Sequence, residues 1–169
     1  MAKLIWITGL AGSGKTTIGS AVYEELKKTD NAVVFLDGDH FREIIGNTLG
    51  YDREERLKVA YQISRMCKFL TDQNITVVCS TISLFKEIHQ FNRLNFKNYF
   101  EIFVECSMDE LIRRDQKGIY SEAINGIRKN VVGVDISFDI PKNCNLKIEN
   151  STKNNLDEKV IKILKLVND

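Results

Sequence analysis

The chain has 169 residues, 43% of them hydrophobic and 28% charged, and its 24 basic and 23 acidic side chains leave a net charge of +1. This balance excludes a broad positive field that could hold a nucleic-acid backbone or an anionic membrane, so any phosphate binding must be local. The length suits one domain over residues 1–169, burying about 70% of the surface of the unfolded chain. No run approaches the roughly 18 apolar residues of a membrane helix, and a soluble cytoplasmic protein is expected. Cys67, Cys79, Cys106 and Cys144 lie far apart without a C-x-x-C pair, which fits reduced thiols better than disulfides or zinc.

Lys3 to Thr8 is a short apolar run ended by Gly9, the pattern of a strand buried on both faces of a parallel sheet. Ile18, Ala21, Val22 and Leu26 then recur at helical spacing, predicting a helix from Lys15 to about Thr29. Ala32 to Leu36 reads as the second strand, closed by turn chemistry at Asp37-Gly38-Asp39. Leu57, Ala60, Ile63, Cys67 and Leu70 mark one face of a long helix over Arg53 to Gln73, with acids at its positive end. Ile75 to Cys79 is a third strand, Leu84 to Asn95 a helix, and Phe100 to Cys106 a fourth strand nearer the sheet margin.

Ser107 with Glu110 forms a capping-box pattern that starts a helix from Met108 to about Asp115. Lys117 to Asp139 lacks a long period and reads as a mobile segment. Cys144 to Glu149 supplies a fifth strand, and a last helix runs through Leu156, Val160, Ile161, Leu164 and Val167. This alternation predicts a three-layer α/β fold with a mainly parallel five-stranded sheet.

Gly9-Leu10-Ala11-Gly12-Ser13-Gly14-Lys15-Thr16 fits G-x-x-x-x-G-K-[ST] between a buried strand and an amphipathic helix, the context the motif requires. Glycines 9, 12 and 14 let the backbone curl so that N–H groups, Ser13's included, point at phosphate oxygens, aided by the helix dipole. Lys15 brings a point charge to the β and γ phosphates, Thr16 a hydroxyl for Mg²⁺, and Thr17 a second hydroxyl within reach of the α-phosphate. A glycine-rich turn without function would need neither Lys15 nor Thr16. Asp37 and Asp39 follow the second strand, at the sheet end where ligands of open α/β sheets gather. One carboxylate can hold a water of the Mg²⁺ shell while the other takes the proton of an attacking hydroxyl. Asp39 is assigned to the hydroxyl and Asp37 to the metal, an assignment that can be reversed. The plainer reading has Asp39 capping a helix over Phe41 to Ile45.

GLAGSGKTT at 9–17, LDGDHFR at 36–42, LGYDREE at 49–55, VVCSTIS at 77–83 and RDQKGIY at 114–120 together resemble adenylylsulfate (APS) kinases over nearly the whole chain. The resemblance implies transfer from ATP to the ribose 3′-hydroxyl of a small nucleotide acceptor, with Asp39 as base and Arg42 on acceptor phosphate. It also implies a lid at about 114–139, in which Arg114 and Lys117 meet ATP. Ile82 and Ser83 would line the acceptor site, Ser83 standing where some members carry a phosphorylated serine. Similar kinases are commonly homodimers.

The departures fall on the acceptor side. The family's D-R-x-E-N-I-R-R segment, aligned on Val59-Ala60, has Asp52 and Glu55 at its arginine and asparagine, leaving Arg53 as a shifted substitute. The two phenylalanines that clamp the acceptor adenine correspond to Tyr51 and Val131, and Leu84 replaces a proline. A smaller base and another anionic head group would suit this pocket. Within the family it is most similar to the branch acting on cytidine diphosphoramidate in decorating bacterial capsular polysaccharide, with APS as the alternative acceptor. A regulatory nucleotide switch fits poorly, because no N-K-x-D segment is present. His40 and His89 are expected on helix surfaces, and Phe85, Phe91 and Phe96 in the core.

Overall fold

The computed structural model describes residues 1–152 and 154–168; Lys153 and Asp169, both within the predicted domain, lie outside them. In chain order the elements are β1 (Leu4–Thr8), α1 (Lys15–Lys27), β2 (Val33–Asp37), α2 (Gly38–Ile44), α3 (Arg53–Asp72), β3 (Thr76–Thr81), α4 (Lys86–Asn95), β4 (Tyr99–Glu105), α5 (Met108–Arg114), a 3₁₀ turn (Gln116–Gly118), α6 (Ile119–Ile124), β5 (Leu146–Glu149) and α7 (Leu156–Asn168). The strands form one sheet in the order β2-β3-β1-β4-β5, and every pairing is parallel.

Alternation along β1 sorts the core into two layers, because successive side chains leave opposite faces of a strand. Leu4 and Trp6 pack with Val59, Ala60 and Ile63 of α3 and Ile88 of α4. Ile5 and Ile7 pack on the other face with Ile18 and Val22 of α1 and Val160, Ile163 and Val167 of α7. Thr8 is in register with Thr81, and Asp37 with Ser80, so β1, β2 and β3 end together at one sheet edge. That edge brings the loop after β1 against Asp37.

The helix starts have visible causes. Asp52 accepts the Glu55 N–H at 2.9 Å to cap α3, and Ser107 accepts the Glu110 N–H at 3.3 Å to cap α5. Asp37-Gly38-Asp39 is not a turn followed by a helix capped by Asp39. Asp37 itself caps α2, accepting the Asp39 N–H at 2.9 Å, and the helix begins at Gly38. Lys117 to Asp139, which has no long period, carries the short helix α6.

β4 alternates as expected, but the first of its two acids does not face water. Glu101 is fully buried, paired with Arg93 of α4 and accepting the Tyr99 hydroxyl at 2.9 Å, while Asn145 accepts its N–H at 2.8 Å. His89, expected on a surface, is buried on α4, and burial pushes its pKa below the usual histidine value. Phe85 and Phe96 are buried, and Phe91 meets Tyr61 edge-on with ring centroids 5.2 Å apart. Cys67 and Cys79 are buried and all four thiols are free.

Candidate active site

The loop from Gly9 to Thr16 wraps a cavity of about 790 Å³ at the carboxyl edge of the sheet. Gly14 has φ 96° and faces Asn150 so closely that a Cβ there would collide with the amide, so glycine is required on both counts. At Gly9 a Cβ would meet the Val104 carbonyl and the Ser13 hydroxyl oxygen, both at 2.6 Å. Ser13 is fully buried beneath the loop, whereas Gly12, Gly14, Lys15, Thr16 and Thr17 line the cavity. Lys15 Nζ donates to the Leu10 carbonyl at 3.3 Å. Burial lowers its pKa from the ordinary 10.5, an effect opposed by Asp37 and Asp39 and reinforced by Lys117.

Asp37, 7% exposed, accepts the Thr16 hydroxyl at 2.9 Å with Oδ2 and the Asp39 N–H with Oδ1. Asp39 projects into the cavity with its side chain 77% exposed, 3.6 Å from Lys117 Nζ. Lys117 has a left-handed backbone, φ 60°, within the 3₁₀ turn. Thr16 and Asp37 form the donor set that could hold a divalent cation. Magnesium keeps several waters and takes phosphate oxygens, so one hydroxyl and one carboxylate fit it. Among the described residues no cluster of three or more His, Cys, Asp or Glu side chains forms an all-protein metal cage.

The opposite wall is cationic and aromatic. Arg42 is buried, donates from Nη1 to the Leu49 carbonyl at 2.9 Å, and sets its guanidinium 4.3 Å from the Tyr51 ring centre. Arg56 of α3 lies 5.2 Å from the same ring and donates to the Tyr51 and Asn130 carbonyls at 2.7 and 2.8 Å. Burial first, and then the neighbouring Arg42 charge, bring the Arg56 pKa down to about 10. Among the described residues neither arginine is in a salt bridge. Ile82, Ser83 and Val131 complete this wall, with the Ser83 hydroxyl buried 2.8 Å from that of Thr81.

Gly9 and Ser13 do not line the cavity, the expected phosphate-facing Ser13 N–H donating instead to the Leu10 carbonyl at 3.1 Å, and two arginines predicted for the site lie off its wall as well. Arg53 pairs with Glu87 of α4 at 2.9 Å and sits over the Phe85 ring at 5.2 Å. The Arg114 side chain is 2% exposed and spends its donors on Glu110 and on the carbonyls of Gly12, Asn150 and Ser151. The family pattern led to both, but a carboxylate on another helix and carbonyls remote in sequence turn the guanidiniums away. Sequence spacing singles out neither Arg56 nor Asn150, and Tyr120 enters only as the last residue of the 114–120 motif. Arg56 does carry a signal, since it lies on the half of α3 that also sends Val59 and Ile63 to the cavity; Asn150 carries none.

The family model described as adenylylsulphate kinase matches residues 1–149. The chain is 54% identical over 162 residues to the cytidine diphosphoramidate kinase of Campylobacter jejuni, covering 96% of this chain and 94% of that one. It is 33% identical over 168 residues to a probable adenylyl-sulfate kinase of Aeropyrum pernix, covering 97% and 91%. Its fold superposes with a TM-score of 0.90 on the APS kinase CysC of Mycobacterium tuberculosis in complex with AMPPNP and APS, at 28% identity, covering 99% and 98%.

Proposed function

The chain belongs to the adenylylsulphate kinase family and is an ATP-dependent phosphotransferase, and from that premise we propose that it transfers the γ-phosphoryl group of MgATP to the ribose 3′-hydroxyl of cytidine diphosphoramidate, in the phosphoramidate decoration of capsular polysaccharide. The observation that carries the acceptor is the 54% identity, spread over nearly the whole of both chains, to a kinase bearing that substrate's name.

In this reading the loop amides and Lys15 neutralise the triphosphate, and Thr16 and Asp37 would hold Mg²⁺, which would supply further charge neutralisation there. Asp39 accepts the proton of the attacking hydroxyl, and Lys117, 3.6 Å away, brings the lid's charge to the transferring group. Arg42 and Arg56, with no ion-pair partner among the described residues, receive the anionic 5′ chain of the acceptor, and Tyr51 and Val131 flank its base. A tyrosine opposite a valine supports a smaller base than a clamp of two phenylalanines would. Arg53 contributes by fixing α3 to α4, and Arg114 by supporting the loop. The reading keeps the protein in the cytoplasm as a homodimer, which sedimentation of the purified chain tests; no helix among the described residues is long and apolar enough to cross a membrane.

An acceptor panel decides the substrate. With purified protein and MgATP, ADP formation and the position of the new phosphate are followed for cytidine diphosphoramidate, CDP and APS. The expected result is a kcat/KM at least about tenfold higher for cytidine diphosphoramidate than for APS, about 1.4 kcal/mol of discrimination. A preference for APS would replace the acceptor and leave the phosphotransfer chemistry in place.

A further inference from the structure

A phosphate cradle needs its peptide units turned so that N–H groups face the cavity. Turning them inward drives the intervening carbonyls outward, where a buried C=O must find a donor. Three consecutive carbonyls of the loop find one, each from a different remote element. The Tyr120 hydroxyl of α6 donates to Ala11 O at 2.7 Å. Arg114 Nη1 of α5 donates to Gly12 O at 3.0 Å. Asn150 Nδ2, just beyond β5, donates to Ser13 O at 2.6 Å.

These donors are themselves held. Tyr120 and Asn150 are buried. Arg114 Nη2 donates to the Asn150 and Ser151 carbonyls at 2.6 and 3.1 Å, and Asn150 Oδ1 accepts Lys159 Nζ of α7 at 2.6 Å. Before and after this stretch the loop satisfies itself, with Ser13 N–H donating to Leu10 O at 3.1 Å and Ile18 N–H to Gly14 O at 3.0 Å. The remote donors therefore meet the part of the loop that cannot close its own hydrogen bonds.

We propose that Tyr120, Arg114 and Asn150 form an outer clamp of positioning residues that fixes the peptide orientation of the phosphate loop and so sets its affinity for polyphosphate. None of them needs to touch the nucleotide. Tyr120 stands on the same segment as Lys117, so the clamp also ties the segment facing Asp39 to the Ala11 peptide. A loop freed of the clamp can rotate its peptides, and its amides then lose their shared focus.

Tyr120→Phe is the cleanest test, since it removes the hydroxyl and keeps the buried ring. Calorimetric Kd values are measured for MgADP and for inorganic tripolyphosphate, alongside thermal unfolding of the free protein and the acceptor KM at saturating MgATP. Loss of one clamping hydrogen bond should weaken both ligands by the same factor, about three- to tenfold, with the acceptor KM changed by less than about twofold. Asn150→Ala should act in the same direction, and if it does not fold, Tyr120→Phe decides alone. Unfolding that shifts without a change in either Kd would make these residues merely structural. Weakened MgADP with unchanged tripolyphosphate would make them part of a base pocket; either result overturns the clamp. Both ligands occupy the ATP side, so the outcome is independent of which acceptor the kinase uses.

Discussion

Replacing each of the two cavity carboxylates by its amide should separate their roles, because the structure gives them opposite environments. Asp39 is 77% exposed, and its contact is an exposed Lys117 at 3.6 Å. Such a pair adds little stability, so Asp39→Asn should leave the thermal midpoint within about 2 °C of the parent. Its kcat should fall about 10²- to 10⁴-fold, the range lost with a general base, equal to about 3 to 5.5 kcal/mol of transition-state stabilisation. Asp37, buried, accepts both the Thr16 hydroxyl and the cap N–H of Asp39. An asparagine can keep one of these bonds but loses the charge, so Asp37→Asn should cost about 1 kcal/mol, or about 2–4 °C. It should also raise the Mg²⁺ concentration for half-maximal rate, which Asp39→Asn should not. Coupled detection of ADP across a Mg²⁺ titration, with thermal unfolding of each variant, reads all of these quantities. Retention of more than about a tenth of parental kcat in Asp39→Asn would refute the base assignment. A Mg²⁺ shift in Asp39→Asn alone would exchange the two roles.

Burial lowers the Lys15 pKa from 10.5, and a bound polyphosphate must raise it again. As pH rises through the lowered value, triphosphate affinity should fall while the free protein gains stability, because the unfolded chain then binds more protons. Calorimetry in buffers of different ionisation heat should show proton uptake on MgADP binding at alkaline pH, absent in Lys15→Met. Arg56→Met should raise the KM of acceptors carrying a 5′ anionic chain about 10- to 100-fold, the value of a charge-assisted hydrogen bond, with the KM for ATP unchanged. Equal losses in both KM values would show that Arg56 does no more than tie Asn130 to α3. Arg93→Met leaves Glu101 buried without its counter-charge, so it should cost about 3 kcal/mol, lowering the midpoint by about 6–12 °C at unchanged kcat.

The ATP side of the cavity was legible because it is one covalent run. From Gly9 to Thr17, spacing alone determines which peptides can curl and where Lys15 emerges; the strand before it is an unbroken apolar run, and the helix after it is long enough to show its period. The long faces of α3 and α7 were read for the same reason. α6, with six residues, is too short to show a period, and the cap of α2 was misplaced because Asp37 and Asp39 are both credible caps and the strand end decides between them.

What escaped the sequence is what the packing of one element on another decides. Glu101 belongs to an apolar–acidic alternation that normally marks a solvated face, and it becomes a core residue because Arg93 and Tyr99 meet it there. The acceptor wall is drawn from α2, the start of α3, the end of β3 and the Asn130–Val131 stretch, so its shape follows from sheet register and helix packing, which no local spacing encodes. Arg53 and Arg56 lie on the same turn of one helix, yet one meets a carboxylate on α4 and the other meets carbonyls beside the cavity. A guanidinium is directed by the acceptors within its reach, and its identity alone does not tell them apart. The same reasoning explains Arg114: a motif that resembles a nucleotide contact becomes a brace because Glu110 and the carbonyls of Gly12, Asn150 and Ser151 take its donors.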